Sequence, residues 1–308
     1  MSTPADVSAK PRLRHHCFGL VTSIGFQTVT ENSKLTQLLS REMTAGEALV
    51  CLVGHCTQSF VRHLPPLMLT SDPEGTHRTR VALRRLRSVL DGFRPILDKA
   101  AIAPLKAEAR MLFRLIGQLR DAEINARALA ATPGADTRAK DVDDLRITVR
   151  AALTAQDAQG FAARAASLLH GKTWRRPGRK ARERRNGPVR VLAELALEVA
   201  WGTCAAYGPD LAGLTPECRH GFRKDMKTLR YLSDFFLPLW PKRNAKAFYA
   251  TMEALQDELG ILTDIASICG LIVPDEQAAA DQDRKAVAAL TKACNLWRKL
   301  ADQGVWWR

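Results

Sequence analysis

The sequence predicts an all-α protein made by internal duplication, two related helical bundles within a chain of 308 residues. Three observations carry this. From Thr44 onward Ala and Leu recur at helical spacing, and strand-like alternation is scarce. Shifting the sequence by 143 positions lays residues 72–121 over 215–264 without a gap, and fifteen of the 50 positions are identical. So long an ungapped self-match marks a duplication. Each repeat also opens on the same cationic spacing: His77, Arg80, Arg84, Arg87 in the first, and His220, Arg223, Lys227, Arg230 in the second.

Taken in order, residues 1–40 read as an extension with polar clusters over 28–33 and room for one short strand. The stretch 17–26, after Arg12 and Arg14, faintly resembles a signal peptide. Thr22 and Ser23 interrupt it and no small-residue cleavage site follows, so it is not expected to act as one. No run approaches 18 consecutive apolar residues, so no membrane span and a cytoplasmic location are expected.

A helix is predicted over 46–64, closed by Pro65-Pro66. Asp72-Pro73-Glu74 and Thr215-Pro216-Glu217 are matching helix starts, each with an N-cap residue followed by Pro at the first helical position. Further helices are expected over 103–130, 138–155, 159–172, 188–207, 245–270 and 276–302. The resulting division is an extension (1–40) and a domain (41–308). The domain has a first half at about 41–170, a basic linker at 171–190 and a second half at about 188–302.

The linker is the most basic segment. Between 172 and 190 nine cations, from Lys172 to Arg190, face Glu183 alone. Pro177, Gly178, Gly187 and Pro188 argue against regular structure throughout, so a mobile linker is expected, either solvated or serving as an auxiliary arm for a polyanion.

Forty-six Lys and Arg against 32 Asp and Glu leave a formal net charge of +14, which favours an anionic partner: nucleic acid, a phosphate polymer or an acidic membrane surface. The seven cysteines form no Cys-x-x-Cys pair and sit mostly among apolar residues, so buried free thiols in a reducing compartment are expected.

Cations at i, i+3, i+7 and i+10 fall within an arc of roughly 80° on an α-helix, at about 100° per residue. Beside that arc Ala82, Leu83, Leu86, Val89, Leu90 and Phe93 make an apolar face, and Phe222, Met226, Leu229, Leu232 and Phe236 do the same in the second copy. The apolar faces can bury while the cationic stripes, free of acidic residues, face a shared groove. Guanidinium is a rigid fork of donors matched to phosphate oxygens and stays charged. His77 and His220, at equivalent places, are read as anion contacts that favour the neutral form among so many cations.

Asp121 and Asp264 lie 44 residues after His77 and His220. No further His or carboxylate stands at ligand spacing beside either, so no metal, cofactor or catalytic role is expected. They are read instead as acceptors that fix the stripe arginines. Gly117 and Gly260 are read as points of close helix packing, and Arg110, Arg114 and Arg120 as the rim of the groove. Two near-motifs fail. Gly171-Lys172-Thr173 lacks the upstream Gly and the strand of a phosphate-binding loop, and Trp306-Trp307 is read as capping an apolar face rather than stacking on bases.

His77–Arg87 followed by Leu119-Arg120-Asp121-Ala122-Glu123 resembles the first half of a CHAD domain, the conserved-histidine α-helical domain. His220–Tyr231 with 255–264 resembles its second half. The resemblance spans roughly residues 40–300. It implies two similar four-helix bundles around a basic central cavity, and non-catalytic binding of inorganic polyphosphate, with association to polyphosphate granules. By motif, His77, Arg80, Arg84, Arg85 and Arg87 would line one side. His220, Arg223, Lys224, Lys227 and Arg230, with Tyr231, would line the other. Thr263 stands where the first half has Arg120, so an asymmetric cavity is expected. Many relatives carry an N-terminal triphosphate-tunnel domain with metal-binding acids. Residues 1–40 are too short for one, so its hydrolase activity is not expected. The competing reading is a basic helical protein that binds nucleic acid. The sequence leaves the oligomeric state open.

Overall fold

The computed structural model describes residues 38–130, 132, 134–269 and 276–308; the expectations for residues 1–37, a short strand and no signal peptide, lie outside the described residues. Residues 35–308 form one compact unit. Among the described residues there are ten α-helices and no strand, only isolated bridges at Thr44–Pro188 and Leu97–Arg175. The all-α expectation holds.

The helices are α1 (Ala45–Leu69), α2 (Pro73–Gly92), α3 (Lys99–Ala128), α4 (Ala135–Ala155), α5 (Phe161–His170), α6 (Arg179–Asn186), α7 (Val189–Ala205), α8 (Pro216–Phe236), α9 (Lys242–Cys269) and α10 (Glu276–Asp302). The two basic helices start as their sequences dictate. Asp72 accepts from the Glu74 amide at 2.9 Å, Thr215 from the Cys218 amide at 3.2 Å, and each helix has Pro in its first turn. Each also ends in a 3-10 turn, Arg94–Ile96 and Leu237–Leu239, at positions 143 residues apart.

Helix α2 packs against α1 and α3, α8 against α7 and α9, and α9 against α10, while α2 and α8 touch directly. Leu83, Leu86 and Val89 of α2 with Phe93 at its C-cap, and Phe222, Met226, Leu229 and Phe236 of α8, are buried. The apolar arc of each basic helix therefore faces protein, which aims its cationic arc along the remaining side.

Three expectations need correction. Helix α1 does not stop before its prolines but runs through Pro65 and Pro66 to Leu69. Its last turn buries Leu67, and side chains take up its carbonyls: Thr79 donates to His63 O (2.9 Å), Arg150 to Leu67 O (2.9 Å) and Thr70 to Pro66 O (2.9 Å).

Residues 171–190 are not an irregular linker. They hold α6 and are tied to the first half at both ends, by Asp98 N to Trp174 O (2.7 Å), Arg176 N to Ile96 O (3.0 Å), Ala45 N to Gly187 O (3.0 Å) and Val189 N to Met43 O (2.9 Å). Trp174, buried with its indole on Leu169 O, anchors the start. Finally, Leu38 and Leu39, assigned from sequence to the extension, are buried in the core.

Cys56, Cys204 and Cys294 are buried free thiols, whereas Cys218 and Cys269 are exposed. Trp306 and Trp307 are buried among Trp201, Trp240 and Phe248.

Candidate functional site

On the first side of the site, α2 carries the cations and α3 carries what holds them. Arg80, Arg84 and Arg87 all place their guanidinium carbons over the Phe113 ring, at 4.7, 5.2 and 5.2 Å from its centroid. One aromatic ring thus gathers three like charges, each within reach of its negative quadrupole. Arg80 also donates to Asp121 Oδ1 at 2.7 Å. Its guanidinium lies flat against Gly117, where a Cβ would come within 3.4 Å of the guanidinium carbon. Gly117 therefore makes room for a side chain, which corrects the reading that it lets two helices close together.

The second side repeats the plan with different chemistry. Arg223 lies against Gly260, 3.7 Å from where a Cβ would be, and the Asp264 carboxylate favours its charge. Gln256 occupies the place equivalent to Phe113. It accepts from Arg230 at 3.2 Å through Oε1 and donates to Met226 O at 3.1 Å. A stacking platform on one side faces a hydrogen-bonding one on the other.

The two stripes converge. His77 feels the charge of Lys227, and His220 feels that of Arg84, which are reciprocal pairs under the 143-residue shift. Lys227 is surrounded by Arg223, Arg84, Arg80 and Arg230. Burial and these four cations push its ammonium down to about 7. Burial first, then neighbouring cations, also lowers His77 and His220 below the ordinary imidazole value and lowers Arg84. So many cations crowded into one half-buried space, even with Asp121 beside Arg80 and Glu253 beside Arg230, are costly unless an anion relieves them.

The remaining sequence candidates separate. Arg120 lies near His77 and reaches Glu123 at 3.7 Å. Glu123, missed by the sequence reading, is buried on α3, pairs with Arg146 at 3.3 Å and accepts from Thr76 at 3.0 Å. Arg110 and Arg114 are exposed on α3 and fall on the arc that carries Gly117 and Asp121. Tyr231 lies by Arg84, and Lys224 is exposed beside His220.

Arg85 is corrected. Its guanidinium sits over the Tyr231 ring (5.6 Å) and 3.8 Å from Asp234, away from the Phe113 cluster. One residue past Arg84 is a turn of about 100°, which sends it towards α8. Phe113 was also missed. Its signal was its spacing, four and seven residues before Gly117 and Arg120, which puts it on the site face of α3.

Among the described residues no three His, Cys, Asp or Glu side chains gather as metal ligands, and no helix is long and apolar enough to cross a membrane.

The family model described as the CHAD domain matches residues 51–272. The crystal structure of the CHAD domain from the plant Ricinus communis superposes with a TM-score of 0.66 at 20% identity, covering 87% of this chain and 90% of that one. PptA from Streptomyces chartreusis superposes with a TM-score of 0.57 at 17% identity, covering 83% of this chain and 100% of that one. No curated protein sequence matches.

Proposed function

This chain belongs to the CHAD family, which is linked to polyphosphate binding, and from that premise we propose that it binds inorganic polyphosphate without cleaving it. The ligand lies between the stripes of α2 and α8, and the protein associates with polyphosphate granules in the cytoplasm. The observation that supports this best is the cationic ring around Lys227, where Arg80, Arg84, Arg223 and Arg230 meet without an acidic residue among the groups that set its charge. A linear polyanion supplies the missing charge at successive positions, since stripe residues rise by about 4.5–6 Å at each step of three or four residues. Asp121 holds Arg80 in place rather than attacking a phosphate, which is why no hydrolysis is assigned.

The test is affinity against chain length at fixed salt. Long-chain polyphosphate binds more tightly than tripolyphosphate, and the Arg84→Glu, Lys227→Glu double variant loses binding of both while keeping its helical content. Eight contacts at about 0.7 released counterions each give a limiting salt slope of about −5 to −6. Equal affinity at both lengths, or an unaffected double variant, defeats the proposal. Preferential displacement of polyphosphate by duplex DNA at equal phosphate would favour a nucleic-acid function instead.

A further inference from the structure

We infer that the site has a one-sided extension: a cationic track running from the α3 rim to α6, which takes the part of a polyphosphate chain that overruns the central space. This rests on the function proposed above.

The first observation is an asymmetry between the repeats. Along the rim of α3 stand Lys106, Arg110 and Arg114; the equivalent places on α9 hold Tyr249, Glu253 and Asp257. Glu253 and Asp257 are exposed, and Glu253 lies 3.6 Å from Arg230. A polyanion leaving the space over α9 meets carboxylates, and one leaving over α3 meets cations. Coulomb repulsion closes one exit and favours the other.

The second observation is where the α3 rim leads. Lys106 and Arg110 border a cleft of about 830 Å³ together with Arg94, Lys99 and Arg176. Arg176 and Pro177 also border a second hollow, of about 290 Å³, whose other cations are Arg175, Arg179, Arg182 and Arg185. The two hollows share Arg176 and Pro177, so their cations extend from Lys106 and Arg110 on α3 to Arg179 and Arg182 on α6. The acids along the way are few and engaged: Asp91 pairs with Lys106, Asp98 caps α3 through the Ala101 amide at 2.9 Å, and Glu183 lies 3.5 Å from Arg179.

The third observation is that this hollow is built. The Leu97–Arg175 bridge, the buried Trp174 and the Arg176–Ile96 hydrogen bond fix the strand of chain that enters it. Gly178 turns at φ +97° to start α6, and no side chain caps that helix start. The first-turn amides thus lack a side-chain cap, and the helix dipole favours an anion at that end. Arg185 is lowered by partial burial and by Arg175 and Arg182, so these charges already crowd one another.

The test compares tripolyphosphate with long-chain polyphosphate on the full chain, using wild type, an Arg176→Gln, Arg179→Gln, Arg182→Gln variant and, separately, Arg94→Gln. The triple variant should bind tripolyphosphate as wild type does but lose long-chain affinity at least tenfold. Its long-chain salt slope should be shallower by about 2, from three contacts at about 0.7 each. Arg94→Gln, which alters no residue of α6, should show the same selective loss to a smaller degree, and circular dichroism equal to wild type in both variants separates lost contacts from unravelling of α6. Unchanged long-chain affinity in both variants overturns the track, and so does an equal loss for both ligands. Loss of duplex DNA binding with long-chain binding intact reassigns the arginines to nucleic acid and also overturns it. Failure of the wild type to prefer long chains, or to bind any, instead sinks the proposed function itself.

Discussion

Phe93 and Phe236, at equivalent places in the two repeats, pack against each other with ring centroids 5.9 Å apart. Each closes the C-terminal end of its basic helix, so the pair fixes α2 relative to α8 and thereby sets the distance between the stripes. Buried aromatic pairs are worth about 0.5–1.5 kcal/mol beyond their area. A double-mutant cycle of Phe93→Leu and Phe236→Leu, read by urea unfolding, should therefore show a coupling of that size. Strictly additive losses would mean that the rings merely fill space.

Phe113 places three guanidinium groups without adding charge. Phe113→Leu keeps an apolar side chain against α2 but removes the ring face under Arg80, Arg84 and Arg87. Three contacts at about 0.5–1 kcal/mol each imply that long-chain polyphosphate affinity should fall by roughly ten- to a hundredfold. The salt slope should stay as it was, since no cation is lost. A change in slope at constant affinity would contradict the platform role.

Gly117 separates helix propensity from site geometry. An Ala there gains up to about 1 kcal/mol of helix propensity, and its Cβ would sit in ordinary contact, 3.4 Å from the Arg80 guanidinium carbon. Gly117→Ala should therefore raise the unfolding midpoint with little change in binding. The γ-carbons of Gly117→Val reach into the guanidinium itself and should break the 2.7 Å bond from Arg80 to Asp121, weakening polyphosphate binding. Equal binding by Val and Ala variants would show that Arg80 does not need this seat.

The basic helices were legible because everything that defines them is local: the cap, the proline, the apolar arc and the cationic arc all repeat at spacings set by one helix. The Arg80–Asp121 bond was foreshadowed because the duplication displays both members twice. Phe113 was not, for its counterpart is Gln256, so a search for repeated residues passes over it. Arg85 was misplaced because adjacency in sequence means divergence on a helix. The Pro-Gly punctuation at 177–178 and 187–188 was taken to exclude structure, whereas these residues bound a short helix held by backbone bonds to segments 43–45 and 96–98, partners that no local pattern specifies.

Lys227 makes binding pH-dependent, with a sign set by its surroundings. In the free protein it titrates at about 7, because burial and Arg223, Arg84, Arg80 and Arg230 oppose its charge. Its unfolded-state value is near 10.4 by the usual reference, roughly. The cost of holding it charged is thus full below pH 7 and relieved as pH rises towards the unfolded value, so the free protein gains stability across that window. A bound polyanion reverses the preference and favours the ammonium. Binding at pH 8 must then take up a proton, and affinity must fall as pH rises through and above 7. His77 and His220, also lowered, add a second tightening only at acidic pH. Calorimetry in buffers of differing ionisation enthalpy should register the uptake with long-chain polyphosphate, whose few chain ends, titrating near about 6, contribute little. Lys227→Arg, charged throughout, should bind without proton uptake at pH 8. An identical proton count in that variant would place the titrating group elsewhere.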